Sequence, residues 1–447
     1  MTDTNNSKNE FQLLLATDRP ALAAGTDHKL TVLVRLQAPE PPAGAKPRGS
    51  LHLALVLDRS GSMAGVPMQE ARNCARYIVD NLAPTDFATV VAFDDEVDCM
   101  APLGPVGDKT KLRAAIAAIE SAGSTDLHGG WSAGAAQLAA SIADSGVHRV
   151  ILLSDGNANH GEQDLEAISA QCRERARNGI STSTYGLGND FDEDLMLAMA
   201  RAGRGNAYYG ATAADLAEPF QAEFALLTSL CARGIALKVN APDDVGVKLL
   251  NDFELVDGEA RSWKLPDLAF GAEAWALLEF TLPAARLSTG STVRLPISIA
   301  VRAASEGSTP LFLMAIVPPM DVVTPEAWQA LAPNDMVARR MLEIEAGKML
   351  DEVRGLIDHE DWIQAEATLR QAERRYGQNA WTQGIIAAMR NLVARRERRI
   401  ARKEAWYSSR VLKTRLSSQD ESNDLMCEAV PLFLRRRTEQ GKGTPRT

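Results

Sequence analysis

Cysteine is scarce in this chain and never clustered. The five residues, Cys74, Cys99, Cys172, Cys231 and Cys427, are odd in number and form no Cys-x-x-Cys pair. That argues against a disulfide framework and against a zinc site. Cys74 and Cys172 fall in helical patterns, where a thiol acts as a small buried hydrophobe. No apolar run reaches roughly 18 residues, so no membrane span is expected. The first ten residues are polar and contain no apolar h-region. No signal peptide is therefore expected, and the default location is cytoplasmic. His-x-His, His-Glu-x-x-His, a Walker loop and a Gly-x-Ser-x-Gly elbow are all missing, which disfavours metallohydrolase, nucleotide-binding and serine-hydrolase chemistry.

The composition that remains is ordinary for a globular protein, with 45% hydrophobic and 24% charged residues over 447 positions. This length suits two or three domains. The net charge of −10 is unevenly placed. Residues 390–415 carry ten Lys/Arg and two Glu, a local charge of +8, which leaves −18 on the remainder. An acidic body with one basic, helix-like segment results.

The most informative stretch is Leu51-His-Leu-Ala-Leu-Val-Leu-Asp58-Arg-Ser60-Gly-Ser62-Met63. Its apolar run fits a strand buried on both faces of a parallel sheet. The carboxyl end of such a strand is where an open α/β sheet places its ligand. One carboxylate and two hydroxyls on a tight Ser-Gly-Ser loop offer only oxygen donors, which hard divalent cations select. Two later segments belong with it: Gly123-Ser-Thr125-Asp-Leu127, and Arg149-Val-Ile-Leu-Leu-Ser-Asp155-Gly156, a second apolar strand ending in a carboxylate.

Asp-x-Ser-x-Ser, then Thr, then Asp-Gly after a strand, in that order, resembles the von Willebrand factor A domain over roughly Leu51 to Leu227. The resemblance implies a metal-ion-dependent adhesion site. Ser60, Ser62 and Thr125 would supply hydroxyl ligands, and Asp58 and Asp155 would bind the metal directly or through water. The implied cofactor is Mg²⁺, with Mn²⁺ or Ca²⁺ as alternatives. The implied partner is a protein presenting Asp or Glu, whose carboxylate would fill an open coordination position. The resemblance also implies that the last helix of the domain, here Ala213–Leu227, moves on ligand binding.

Strand and helix patterns alternate from Leu51 to Leu227, so the fold class is α/β, with a doubly wound, mostly parallel sheet over residues 49–230. Strands are expected at Leu51–Leu57, Phe87–Phe93, Val147–Leu153, Ser181–Leu187 and Ala207–Tyr209, with one antiparallel edge after Phe93. From Ala232 short strand patterns spaced by Gly, Pro and Asp read as an all-β sandwich over 231–320, including a strand at Thr292–Ala300. The strand-like residues within 10–48 cannot form a sheet alone and are expected to join it. That layout resembles bacterial proteins with an inserted A domain. Residues 335–410 read as a C-terminal helical region, with one αα-hairpin of tetratricopeptide-like spacing. Residues 1–9 are expected to be disordered and 411–447 to form a flexible tail.

Met63, His128, Asn157 and His160 are candidates for the rim that meets the partner, as are Asn159 and Asp190. Asp94-Asp95-Glu96 reads as a solvated turn. Asp190, Asp192, Glu193 and Asp194 read as the start of a helix, where anions complement the dipole. The basic run 395–403 reads as a helix face paired with the acidic body. A nucleic-acid surface is the less favoured alternative, because no aromatics interleave the cations. Taken together, these features point to a non-enzymatic, Mg²⁺-dependent protein-binding adaptor. Against a Mg²⁺-assisted hydrolase or phosphotransferase stands the absence of any base near the loops.

Overall fold

The computed structural model describes residues 10–40, 50–142, 146–155, 158–187, 192–210, 223, 224, 227, 229–256, 258–294, 298–305, 310–376, 380–414, 417 and 418. The chain divides into two compact units. The first three strands, β1 (Gln12–Thr17), β2 (Ala21–Ala23) and β3 (His28–Gln37), belong to the same unit as the described residues from Ser229 onward.

The other unit is α/β. Its elements are β4 (Ser50–Asp58), α1 (Val66–Asn81), β5 (Phe87–Phe93), β6 (Val97–Pro105), α2 (Thr110–Ala117), α3 (Leu127–Ala139), β7 (Gly146–Ser154), α4 (Leu165–Arg177), β8 (Ile180–Leu187), α5 (Glu193–Ala202) and β9 (Arg204–Gly210). The strands form one sheet in the order β6-β5-β4-β7-β8-β9, parallel except for the β5–β6 pair. From β4 the chain builds outward to β5 and β6, then returns to place β7 on the other side. The order therefore reverses at β4, and a ligand cleft is expected at the carboxyl ends of β4 and β7.

Both central strands are buried along their length, which is why they read as unbroken apolar runs rather than alternating ones. Pairing sets Asp58 beside Phe93 and Leu57 beside Leu153, so β4 and β7 end level with one another. Helix α1 presents Met68, Ala71, Cys74, Ala75, Ile78 and Val79 to the core at helical spacing. Helix α3 approaches the sheet more closely than a side chain allows. A Cβ on Gly130 would lie 2.3 Å from the Phe93 ring, and one on Gly134 would lie 2.4 Å from Val56 Cγ2. These two glycines press α3, and the loop that precedes it, onto β4 and β5.

Helix Ala213–Leu227 lies outside the described residues except for Glu223, Phe224 and Leu227. Glu223 is fully buried. Its carboxylate accepts hydrogen bonds from Arg149 and Ser183, from Asn206 Nδ2 at 2.8 Å and from the Tyr208 hydroxyl at 2.9 Å. Arg149 and these hydroxyl and amide donors hold its pKa below the ordinary value despite burial.

The second unit continues with β10 (Leu230–Asn240), β11 (Gly246–Leu249), β12 (Ser262–Lys264), β13 (Leu268–Ala269), β14 (Ala272–Leu282), β15 (Thr292–Val293), β16 (Ser298–Ser305), β17 (Pro310–Ile316) and β18 (Met320–Val323). One antiparallel sheet runs β1-β3-β14-β11 and a second runs β12-β10-β16-β17. Leu30, Val32, Val34 and Leu36 of the first share one apolar core with Ile235, Leu237, Val239, Ile299 and Val301 of the second. Where a single strand over Thr292–Ala300 is expected, β15 and β16 are separate and pair in different sheets. Pro296 falls between them and can donate no ladder hydrogen bond.

Helices follow: α6 (Pro325–Ala330), α7 (Asp335–Asp358), α8 (Trp362–Tyr376), α9 (Ala380–Ala394) and α10 (Arg398–Thr414). Val337 and Ile344 of α7 pack on Leu33, Trp275 and Leu277, so β3 and β14 are buried on both faces. The expected single hairpin is corrected to four long helices with a shared core that includes Leu350, Leu369, Met389 and Leu412. The boundary expected for a flexible tail at 411 is also corrected, because α10 runs to Thr414 with Leu412 buried, and Ser417–Ser418 pair with Ala272–Glu273. Residues 1–9 and 419–447 lie outside the described residues. The basic segment pairs with acidic neighbours, through Arg390–Glu373, Arg398–Glu360, Arg402–Asp358 and Lys413–Asp351. Among the described residues no helix is long and apolar enough to cross a membrane.

The fit of α3 against the sheet is directly testable. Gly134→Ala should destabilise the α/β unit by about 1–3 kcal/mol through overpacking against Val56. Gly355→Ala in α7, where an added methyl meets nothing within 4 Å, should be neutral or stabilising. Urea denaturation followed by circular dichroism distinguishes the two.

Candidate metal centre

The site starts from the level ends of β4 and β7. Asp58, the last residue of β4, is 0% exposed. One carboxylate oxygen accepts the backbone N–H of Ser60 at 2.8 Å, and the other accepts the Ser154 hydroxyl. The first bond folds the chain back immediately after the strand, so Ser60 is carried over the strand end. A 3₁₀ turn, Gly61–Met63, follows, and the Ser60 and Ser62 hydroxyls lie 3.1 Å apart. Ser60 is buried and Ser62 is exposed, so the hydroxyls lead from the buried carboxylate toward solvent.

Thr125 comes from the loop that α3 anchors. Gly61 N–H donates to Gly123 O at 3.0 Å and Ala122 N–H to Arg59 O at 2.8 Å, stitching this loop to the first. The Thr125 N–H donates to Asn159 Oδ1 at 2.7 Å, and Thr125 O accepts the N–H groups of Asn159 and His160 at 3.2 and 3.1 Å. Asp126 then caps α3 by accepting Gly129 N–H at 2.8 Å. Gly161 must be glycine here: its φ is +68°, and a Cβ would lie 2.3 Å from Asp126 Oδ1. Asp155 follows Ser154 at the end of β7 and is buried.

Electrostatics favour a cation at this point. Burial pushes the Asp58 carboxyl up from 3.8 to about 6; the Ser154 and Ser60 hydrogen bonds oppose that rise, and the neighbouring Asp155 charge adds to it. Asp58 meets no Lys, Arg or His side chain among the described residues. The adjacent Arg59 is turned away: its guanidinium makes a bidentate pair with Asp94 at 3.0 and 3.1 Å and reaches Asp98 at 2.8 Å. Asp58, Ser60 and Ser62 cluster at the end of β4, the Thr125 loop is tied to them through Gly61 and Gly123, and Asp155 ends the neighbouring strand within electrostatic reach of Asp58. Carboxylate and hydroxyl oxygens are the donors a hard divalent cation selects. Among the described residues no cluster of three or more His, Cys, Asp or Glu side chains could hold a metal ion, so no His- or Cys-based centre competes with this one.

The rim differs in part from expectation. Met63 is fully buried, because the 3₁₀ turn points its side chain into the core; it is corrected from rim to packing residue. His128 is half-buried and hydrogen-bonds through Nε2 to Gln171 Oε1 at 2.9 Å. His160 is exposed beside the Thr125 loop. Asn157, Asp190 and Gly156 lie outside the described residues. Asp94 is not a solvated turn residue: it is buried against Arg59, while Asp95 and Glu96 are exposed. Asp192 caps α5 by accepting the N–H groups of Asp194 and Leu195 at 3.0 Å, in line with a helix start. Ser154, which orients Asp58, escaped the sequence reading. Its only signal is that it directly precedes Asp155.

Residues 52–222 match the family model of the von Willebrand factor type A domain, and the α/β unit is such a domain. An uncharacterized protein, sll0103, of Synechocystis sp. is 29% identical over 36% of this chain and 37% of its own length. Human inter-alpha-trypsin inhibitor heavy chain H4 is 29% identical over 31% of this chain and 16% of its own length. The match therefore spans well under half of these curated relatives. A solved structure, von Willebrand factor type A from Catenulispora acidiphila, superposes over 92% of this chain and 98% of its own with a TM-score of 0.69 at 17% identity. At that identity the likeness establishes the fold, here across both units.

The buried carboxylate makes metal-free stability pH-dependent. With a folded-state pKa near 6 against 3.8 ordinarily, Asp58 binds more protons folded than unfolded between those values. Its contribution is therefore full below 3.8 and is lost as pH rises through about 6. In EDTA, wild type should lose on the order of 2–3 kcal/mol across that window relative to Asp58→Asn, which lacks the titrating group. Thermal midpoints of both proteins from pH 4 to pH 8 check this.

Proposed function

We propose that the α/β unit is a non-enzymatic, Mg²⁺-dependent protein-binding module. Asp58, Ser60, Ser62, Thr125 and Asp155 hold the cation, and an Asp or Glu side chain of a partner completes its coordination. Mn²⁺ or Ca²⁺ can take the same place. The observation that carries this reading is the buried Asp58 carboxylate, which no described cation neutralises, below hydroxyls that lead out to solvent. With only two carboxylates in the set, a divalent ion is balanced but not over-neutralised, so it still attracts an incoming carboxylate. Further acidic ligands would weaken that attraction.

The remaining chain gives the module its setting. The von Willebrand factor A domain is read as an insertion in a β-sandwich that also carries the helices, and the protein as an intracellular, cytoplasmic adaptor within a complex. His128, Asn157 and His160 form the rim that selects the partner. Domains of this family are generally protein-interaction modules.

A lysate pull-down with wild type and Thr125→Ala, each with Mg²⁺ and with EDTA, tests the reading. A partner retained by wild type with Mg²⁺, and depleted at least about tenfold in the other three conditions, is expected. The same partners in all four conditions would contradict it.

A further inference from the structure

Strand β17 is the edge of its sheet. Its ladder partner among the described residues is β16, and the sheet order ends there. Edge strands in monomeric proteins are blunted by Lys, Pro, bulges or shortness. The strand opens with Pro310, after which Leu311-Phe-Leu-Met-Ala-Ile-Val317 contain no charge, proline or glycine, and the β16–β17 ladder runs without a register shift from Ala304–Pro310 to Ser298–Ile316. The strand alternates. Leu311 and Leu313 pack on the core between the sheets, while Phe312, Met314 and Ile316 point outward and are 67%, 59% and 63% exposed. Three large outward apolar residues on one edge strand form a stripe that scattered surface hydrophobics do not.

We propose that β17 is a self-association edge, which pairs antiparallel with β17 of a second copy of this chain about a two-fold axis at Met314. In that register Met314 faces Met314 of the second copy, and Phe312 faces Ile316 of the second copy on both sides of the axis. The stripe is thus its own complement, as a two-fold interface requires, and an aromatic–β-branched pair is a favourable cross-strand neighbour. Leu311 and Leu313 would meet Val317 and Ala315 of the second copy on the inner face.

Charge placement allows the pairing. Arg302 lies beside Phe312 in the ladder, and the row continuing through Ile316 of the second copy ends at that copy's Ser298. The Met314 row passes through Ala300 to Lys238 in each copy, which leaves four strands between the two lysines. No like charges therefore oppose one another.

Area sets the expected strength. At roughly 200 Å² for a fully exposed side chain of this size, the three exposures set a ceiling of about 400 Å² per copy and about 800 Å² for the pair, because the outer face of the extended sheet stays open to solvent. With the main-chain edge added, the contact stays in the size class of weak, reversible interfaces below about 1,200 Å². The dimer should be concentration-dependent and indifferent to Mg²⁺ or EDTA, which separates it from partner capture at the metal centre.

Sedimentation velocity on the full chain over roughly 1–200 μM should show wild type passing from monomer to dimer, as a weak interface of this class predicts. Met314→Lys, an exposed substitution, should raise the dissociation constant at least about tenfold with an unchanged circular dichroism spectrum and thermal midpoint. Mixing Met314→Lys with Met314→Glu should restore the dimer. Under mild oxidation Met314→Cys should form a disulfide-linked dimer in excess of wild type, and Leu255→Cys, exposed outside the stripe, should not. Wild type that stays monomeric throughout, or a dimer that Met314→Lys leaves intact, overturns the proposal.

Discussion

A buried negative charge governs the α/β unit. Asp58 ends the central strand, is sealed from solvent, and receives hydrogen bonds from Ser60 and Ser154 but no cationic side chain among the described residues. A carboxylate in that position is costly unless something neutralises it. The surrounding structure leaves that position without a cationic side chain among the described residues. Arg59, the nearest candidate in sequence, is drawn off to Asp94 and Asp98. Glycines at 130 and 134 let α3 lie flush on the sheet, and this brings the Thr125 loop to the same mouth. Asn159 and Gly161 then fix that loop from the far side.

Much of this was legible in the sequence because buried parallel strands are written as apolar runs. Leu51–Leu57 and Val147–Leu153 could be assigned to the sheet centre, and their terminal carboxylates to its ligand edge. The residues that escaped were those whose roles depend on a turn or a long-range partner. Met63 sits among polar loop residues, and only the 3₁₀ turn after Ser60 sends it inward. Asp94 lies in an acidic triplet that looks solvated, and it is buried because Arg59 comes to it from another strand end.

In the other unit, strands of two to four residues, such as β2, β12 and β15, are too short for any period to register. The four-helix region was half-read because the many arginines of 390–415 mask its apolar face. Trp406 and Leu412 are nonetheless buried, and several cations are held by acidic residues of α7 and α8 or the turn between them. The basic segment is thus in good part paired with acidic neighbours, as expected of a helix face that meets acidic residues, rather than a free basic surface. Both units use charge to organise packing, and the α/β unit also leaves the buried Asp58 carboxylate without a cationic side chain among the described residues. The other unit does the reverse at β17, where Phe312, Met314 and Ile316 are exposed on a sheet edge.

The claim that rests most heavily on physical argument is that the strand-end oxygens hold a divalent ion. Anomalous diffraction from crystals grown with Mn²⁺ tests it most directly. The account predicts one strong peak bounded by Asp58, Ser60, Ser62, Thr125 and Asp155, lost in crystals of Asp155→Ala. No peak at that mouth in wild type, or a peak unaffected by Asp155→Ala, would contradict it.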